Sequence, residues 1–351
     1  MVLDSNDKVV LLQHGGLRGS SGKTGLGYAR YGIAPVVAVV DNECVGQDFS
    51  ILSGLPCHAP IVSSVKDALK YGPTTLLIGI APPGGVLPEE WFGEVEEAVR
   101  NGLSIVNGLH SKLSPTFSDF PLRPGQRIWD VRQEPAQLNI GSAKAASLDA
   151  ARVLTVGTDM AIGKKSAALE LNDAARRAGM RSTFVATGQG GVMITGGGIC
   201  LDAIRVDFAA GAVENEVVRA ASQGNELIFI EGQGSLLHPG STATLPLLRG
   251  AQPTALILVH RYGQESIARV PSIKIPPLLQ VARLYEELAY AAGAFGKSPV
   301  VGIALNTAHL SESDSRAAIE EVRTVTGLPC DDVVRNTGDW LYGHCFGSGE
   351  S

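Results

Sequence analysis

The sequence predicts an α/β protein of two domains, each built around a mostly parallel sheet. Three observations predict it. The chain has 351 residues, more than one typical domain needs. Short aliphatic runs alternate with helical or glycine-rich stretches in both halves, as buried parallel strands do. A small-residue segment, Gly141–Ser147, separates the two series and places the domains at 1–145 and 146–351.

The first half offers strands at Val9–Gln13, Val36–Val40, Leu76–Ile80 and Leu103–Val106, a Rossmann-like series. A glycine loop, G-G-L-R-G-S-S-G-K-T-G at Gly15–Gly25, follows the first strand. It contains Gly22-Lys23-Thr24, with the hydroxyl directly after the lysine. The glycines that come next predict only a short, weak helix, which robs the site of its helix dipole. Asp41 ends the second strand where a dinucleotide fold places a ribose-binding acid, but the fingerprint G-x-G-x-x-G is absent. This loop therefore reads as structural or substrate-facing.

The second half offers strands at Val153–Val156, Ser182–Ala186, Leu227–Ile230, Ala255–Val259 and Val300–Leu305, with a helix over Lys164–Ala178. Between the first of these strands and that helix runs G-T-D-M-A-I-G-K-K-S, which makes this a P-loop NTPase-like domain. Backbone N–H groups and the positive end of the helix converge on an anion in such a loop, and a lysine adds a point charge. Gly157, Thr158, Asp159, Ile162, Gly163, Lys164, Lys165 and Ser166 are the predicted cofactor-binding residues.

Two departures from the usual G-x-x-x-x-G-K-[ST] matter. The first glycine, Gly157, lies one place early, so the loop is one residue longer. The position after Lys164, where a hydroxyl normally ligates Mg²⁺, is Lys165; Ser166 is rotated roughly 100° further round the helix. A second cation there suits a diphosphate neutralised by lysines, as in a carrier coenzyme, better than one being split with a metal. No metal site is predicted.

Polar residues at the ends of the later strands are the next candidates, because ligands gather beyond the carboxyl ends of parallel strands. Thr187 and Gln189 follow the second strand, with Asp202, Arg205 and Asp207 further on. Glu231 follows Leu227–Ile230 in the Walker-B position, and His238 lies on the same connection. His260 ends the next strand. Asn306 ends Val300–Leu305, where its amide suits an adenine edge.

Composition limits the partners. The net charge is −6, which gives no footprint for nucleic acid or an anionic membrane. Five scattered cysteines without a C-x-x-C pair indicate neither a disulfide framework nor a zinc knuckle. With no basic, apolar leader and no apolar run of about 18 residues, the expectation is a cytoplasmic protein. The glycine- and serine-rich tail from Gly343 is expected to be loose.

The motifs G-T-D-M-A-I-G-K-K-S, T-G-Q-G, D-A-I-R-V-D-F-A-A-G-A-V-E, I-E-G-Q-G-S-L-L-H-P and G-A-Q-P-T-A-L-I-L-V-H resemble the carboxyl-terminal domain of the DgcN-like family. K-T-G-L-G-Y-A-R-Y, V-V-A-V-V-D, I-G-I-A-P-P-G-G and N-G-L-H resemble its Rossmann-like amino-terminal domain. The resemblance covers nearly the whole chain. It implies a P-loop domain similar to dethiobiotin synthetase and transfer of an acetyl group from acetyl-CoA to the amine of D-glutamate. Lys165-Ser166 departs from the small or flexible residue and threonine expected there.

The leading expectation is thus a CoA-dependent N-acetyltransferase acting on a small amino acid, as a homo-oligomer such as a dimer, with acetyl-CoA on the phosphate loop. Arg205 or Arg132 would meet the acceptor's carboxylates beside Thr187 and Gln189. His238, Glu231 or Asp207 would take the ammonium proton, His238 first because its intrinsic pKa lies nearest neutrality. The alternatives are an ATP- and Mg²⁺-dependent kinase or ligase, with Asp159 and Glu231 holding the metal, and a nucleotide- or CoA-sensing protein without catalysis.

Overall fold

The computed structural model describes residues 3–19 and 21–347 of the chain. They form two compact units. The first comprises residues up to Gln133 together with Gln189–Cys200; the second comprises Glu134–Gly188 and the chain from Leu201 onward.

In the first unit the chain runs β1 (Val9–Leu12), α1 (Lys23–Tyr31), β2 (Val36–Val40), α2 (Phe49–Ser53), β3 (Ile61–Val62), α3 (Val65–Ala68), β4 (Thr75–Ile78), α4 (Phe92–Arg100), β5 (Ser104–Asn107) and β6 (Ile128–Asp130). All strand pairs are parallel, in the order β3-β2-β1-β4-β5-β6. The V-V-L-L and T-L-L-I strands are buried on both faces, which is why they read as unbroken aliphatic runs rather than alternating ones. Their side chains pack with Val95, Ala98 and Val99 of α4 and with Phe117 in one hydrophobic core.

The helix expected to be short and weak does form, as the nine-residue α1. Its glycines have a packing reason. A Cβ on Gly25 would lie 2.7 Å from Gln13 Oε1, and one on Gly79 would run into the same atom. Gln13 is wholly buried and donates from Nε2 to the Gly22 carbonyl at 3.1 Å. The glycines of this loop thus leave room for a side chain of the same unit. Ser20 lies outside the described residues.

The second unit contains β7 (Ala151–Gly157), α5 (Lys164–Arg177) and β8 (Ser182–Val185), after which α6 (Gln189–Thr195) belongs to the first unit. It continues with α7 (Ala209–Ser222), β9 (Leu227–Ile230), α8 (Thr244–Ala251), β10 (Ala255–Arg261), the hairpin β11 (Ser266–Ile267) and β12 (Val270–Lys274), α9 (Leu278–Leu288), β13 (Val300–Asn306), α10 (Glu312–Thr326), β14 (Cys330–Asp331) and α11 (Asp339–Phe346). The main sheet has the order β14-β13-β10-β7-β9-β8, all parallel.

The small-residue segment Gly141–Ser147 belongs to this unit rather than marking its edge. The buried Glu214 carboxylate of α7 accepts from Ser142 N at 3.1 Å, Lys144 N at 2.7 Å and Ser142 Oγ at 2.8 Å. Gly343, where a loose tail was expected to start, lies inside α11; residues 348–351 lie outside the described residues. No described helix is long and apolar enough to cross a membrane.

Candidate functional site

The loop between β7 and α5 lies at the carboxyl end of a central strand of the second sheet, with β9 on one side and β10 on the other. α10 opens on a Ser311 hydroxyl that accepts from Asp314 N at 3.2 Å, whereas α5 opens on Gly163 with no side-chain cap. An uncapped helix start keeps its amide donors for a ligand. The longer loop closes through two residues with left-handed backbone, Ala161 at φ 55° and Gly163 at φ 116°. Only the second is a glycine, so Ala161 carries backbone strain of about 1–2 kcal/mol.

Lys164 is buried, and its Nζ donates to the Asp159 carbonyl at 2.7 Å. Burial pulls its pKa down to about 8 against the opposing pull of Asp159 and Glu231. Gly157 is explained by this lysine and Ile162 together: an added Cβ would lie 3.0 Å from Ile162 Cδ1, 3.2 Å from Lys164 Cδ and 3.3 Å from its Nζ. The lysine lies folded over the start of its own loop.

Neighbouring elements pin the rest of the loop. Thr158 Oγ1 and His260 Nδ1 are 2.9 Å apart, and burial pushes His260 down to about 4, so its ring is neutral. Asp159 Oδ1 accepts from Met160 N at 2.6 Å, while its Oδ2 accepts from Gln264 Nε2 at 2.6 Å and from Ala268 N at 2.8 Å. These bonds tie the segment leading into and through β11 to the loop. Asn306 Nδ2 donates to the Ile162 carbonyl at 2.9 Å, and Asn306 Oδ1 accepts from Ala308 N at 3.1 Å. The amide expected to read an adenine edge is therefore engaged in holding the loop.

Glu231 is brought to the same edge. Its Oε2 accepts from Thr187 N at 3.0 Å and Gly188 N at 3.1 Å, and Thr187 Oγ1 donates back to the Glu231 carbonyl at 2.6 Å. Burial raises the carboxyl's pKa, opposed first by the charge of Lys165 and then by these bonds and one from Gln233. Thr187, a predicted substrate-binding residue, orients this acid.

A divalent cation does not fit these donors. Asp159 spends both oxygens on loop hydrogen bonds, Glu231 gives an oxygen to two amides, and Lys165 occupies the hydroxyl position. Among the described residues no group of three or more His, Cys, Asp or Glu has the arrangement of a metal site. Phosphates fit better, because the loop combines glycine-lined backbone, an uncapped helix start and two lysines.

His238 is half-buried, seven residues beyond Glu231. Its Nδ1 accepts from Gly240 N at 3.0 Å. In the neutral ring this places the proton on Nε2, so the ring offers a ligand an N–H and releases a lone pair only when the Gly240 bond opens.

The remaining candidates sit elsewhere. Asp207 is exposed on the turn Val206–Phe208 ahead of α7. Arg205 pairs with Glu134 at 3.0 Å and covers the Phe208 ring at 4.9 Å, so its charge already has a partner. Arg132 and Gln189 belong to the first unit. Arg132 Nε donates to the Gly108 carbonyl at 2.7 Å, and burial lowers its pKa; Gln189 opens α6.

Residues missed by the sequence reading include Thr155, Gln264 and Tyr285. Tyr285 is wholly buried in α9, yet its hydroxyl donates to the Gly157 carbonyl at 2.7 Å. Nothing local in L-L-Q-V-A-R-L-Y-E-E-L signals that role, since an aromatic on the inner face of an amphipathic helix reads as core.

A family model described as a domain of unknown function, DUF1611_C, P-loop domain, matches residues 139–342, and its amino-terminal companion, a Rossmann-like domain, matches residues 42–134. The chain belongs to this family. A solved DUF1611 family protein from Anabaena variabilis is 54% identical, covers 97% of this chain and 99% of its own, and superposes with a TM-score of 0.93. A D-glutamate N-acetyltransferase of Tritonibacter scottomollicae is 36% identical over 78% of this chain and 81% of its own length. Another from a Pseudoalteromonas species is 32% identical over 79% and 82%. The expected Rossmann-like and P-loop domains are thus both present.

Proposed function

We propose that this DUF1611 protein is an N-acetyltransferase that moves an acetyl group from acetyl-CoA to the amine of D-glutamate. The acceptor class rests on the two similar D-glutamate N-acetyltransferases. The donor rests on one observation in this chain: the phosphate loop sets Lys164 and Lys165 beside the Walker-B acid Glu231, whose Oε2 is already bonded to two amides, and puts a lysine where the metal-binding hydroxyl would stand. Such a loop grips a diphosphate and leaves it intact.

Acetyl-CoA supplies an activated acyl thioester. The chain must bind its phosphates, orient the acceptor and accept one proton from the ammonium before nitrogen attacks the carbonyl carbon. As the C–N bond forms and the C–S bond breaks, the nitrogen gives up a second proton to the leaving thiolate, and the first proton passes from the base to solvent. We assign the proton transfer to His238, because Glu231 is held by two amides and Asp207 is exposed on its turn. Taking that proton at Nδ1 requires release of the Gly240 amide, so His238 works through a change of hydrogen-bond partner. The same reading makes the protein a cytoplasmic homo-oligomer whose partner is a small amino acid rather than nucleic acid or membrane.

The test pairs binding with turnover. Acetyl-CoA should raise the melting temperature without Mg²⁺, and His238→Ala should keep that shift while losing at least about a hundredfold in kcat. Stabilisation by ATP only with Mg²⁺ would transfer the protein to the kinase or ligase class. Stabilisation by acetyl-CoA without turnover of D-glutamate or other amino acids would make it a binding protein.

A further inference from the structure

Building on that assignment, we propose that Tyr285 and Thr155 are positioning residues that hold the connection after β9, from Gly232 to His238, in register with the phosphate loop. Neither is among the predicted ligand-binding residues. Both act from below, through hydrogen bonds that join β7 to the segment carrying Glu231 and His238.

A buried tyrosine requires partners for its hydroxyl. Tyr285 has two on different elements: it donates to the Gly157 carbonyl at 2.7 Å and accepts from Leu236 N at 3.1 Å. The Ser235 hydroxyl also faces it, and burial raises its pKa, which keeps the donor proton in place. Gly157 is the last residue of β7, where the phosphate loop begins; Leu236 lies two residues before His238. One oxygen therefore joins the base of the loop to the base of the His238 segment.

Thr155 makes the second tie. Its Oγ1 accepts from Gly232 N at 2.9 Å, and the fit is so close that a Cβ on Gly232 would run into the Thr155 carbonyl oxygen. Gly232 and Leu236, the two ends of a five-residue stretch, are thus both fixed to β7. Between them, Ser235 N donates to Ser241 Oγ at 3.0 Å, and just beyond, Leu237 N donates to Ser235 Oγ at 3.1 Å; these bonds shape the segment without locating it.

The phosphate loop does not depend on these ties in the same way. His260, Gln264, Ala268 and Asn306 hold it independently. Loss of the Tyr285 hydroxyl should leave the coenzyme cradle in place and free the segment that presents the proton-transfer group. A role confined to folding would instead lower stability without separating binding from turnover.

The experiment measures acetyl-CoA Kd, kcat with D-glutamate and amide hydrogen exchange in Tyr285→Phe, well below its melting temperature. The expected result is a Kd within twofold of the parent, a kcat at least tenfold lower and faster exchange at Leu236 with β9 unchanged. Thr155→Val should show the same split and serves as the test should Tyr285→Phe not accumulate as folded protein. A kcat within twofold of the parent, or a Kd that weakens as much as kcat falls, overturns the assignment. If the parent itself transfers no acetyl group, the proposed function fails, and exchange at Leu236 alone decides this one: unchanged exchange in Tyr285→Phe overturns it, faster exchange supports it.

Discussion

Two glycine loops follow the first strands of the two units, and they differ in what occupies the space their glycines leave. At Gly15–Gly25 the space is filled from within. Gln13 lies under Gly22, Gly25 and Gly79, and a Cβ on Gly16 would sit 2.9 Å from the Gln13 carbonyl oxygen and 3.0 Å from Gly22 Cα. At Gly157–Ser166 the space holds a lysine that donates to a carbonyl of its own loop. The first arrangement consumes the glycines in packing; the second keeps a charge that a phosphate can draw off. A G-K-T string is thus a worse guide than the side chain lying beneath it.

The largest effect is steric and concerns Gly232, which borders the second loop: a Cβ there would run into the Thr155 carbonyl and lie 3.0 Å from Lys164 Cδ. Gly232→Ala should destabilise the second unit by more than about 4 kcal/mol, because backbone oxygen cannot move aside as a side chain can. Gly25→Ala meets the Gln13 amide first, at 2.7 Å from Oε1, and should cost about 1–3 kcal/mol. Urea unfolding of the two variants measures both, and equal losses would break the comparison.

Next comes charge. Lys164→Met should weaken acetyl-CoA binding by about 2–5 kcal/mol, roughly thirtyfold or more, in a calorimetric titration. Lys23→Met should leave the affinity within twofold. Equal effects would mean that the first loop also binds the coenzyme.

The pH dependence is smaller and has a definite sign. Lys164 is protonated below about 8, so anion affinity is full there and falls as pH rises through that value. Acetyl-CoA Kd should climb between pH 8 and 9.5 by at most tenfold per unit, and the climb should vanish in Lys164→Met. The smallest effect concerns Lys165→Thr. It restores a hydroxyl in the metal position yet should gain no Mg²⁺-dependent ATP binding, since the Asp159 carboxylate stays engaged with Gln264 and Ala268. Acetyl-CoA should bind it about three- to tenfold more weakly for want of one half-buried charge.

How far the sequence carried this picture depends on how local each signal was. Long aliphatic strands and the strand-loop-helix around Lys164 were legible because burial on both faces and glycine spacing leave marks within a few residues. The two-residue strands β3 and β14 and the short hairpin β11–β12 were not, since so few residues establish no period. Arg205 looked available until a glutamate 71 positions away claimed it. Asn306 was placed at the right strand end, but its bond to the Ile162 carbonyl was not foreseen, because only the fold reveals that Ile162 lies within reach of its amide. Tyr285, 128 positions from Gly157, belongs to the same class of long-range fact.

The passage of Gln189–Cys200 into the first unit has a genetic consequence. The backbone changes unit at three peptide bonds, after Gln133, Gly188 and Cys200, so no single break in the gene yields both halves intact. A fragment ending at Gln133 would lack α6, and one beginning at Glu134 would carry it as an orphan. Recombination or fusion at the apparent midpoint would therefore damage both parents, which favours inheritance of the pair as one piece.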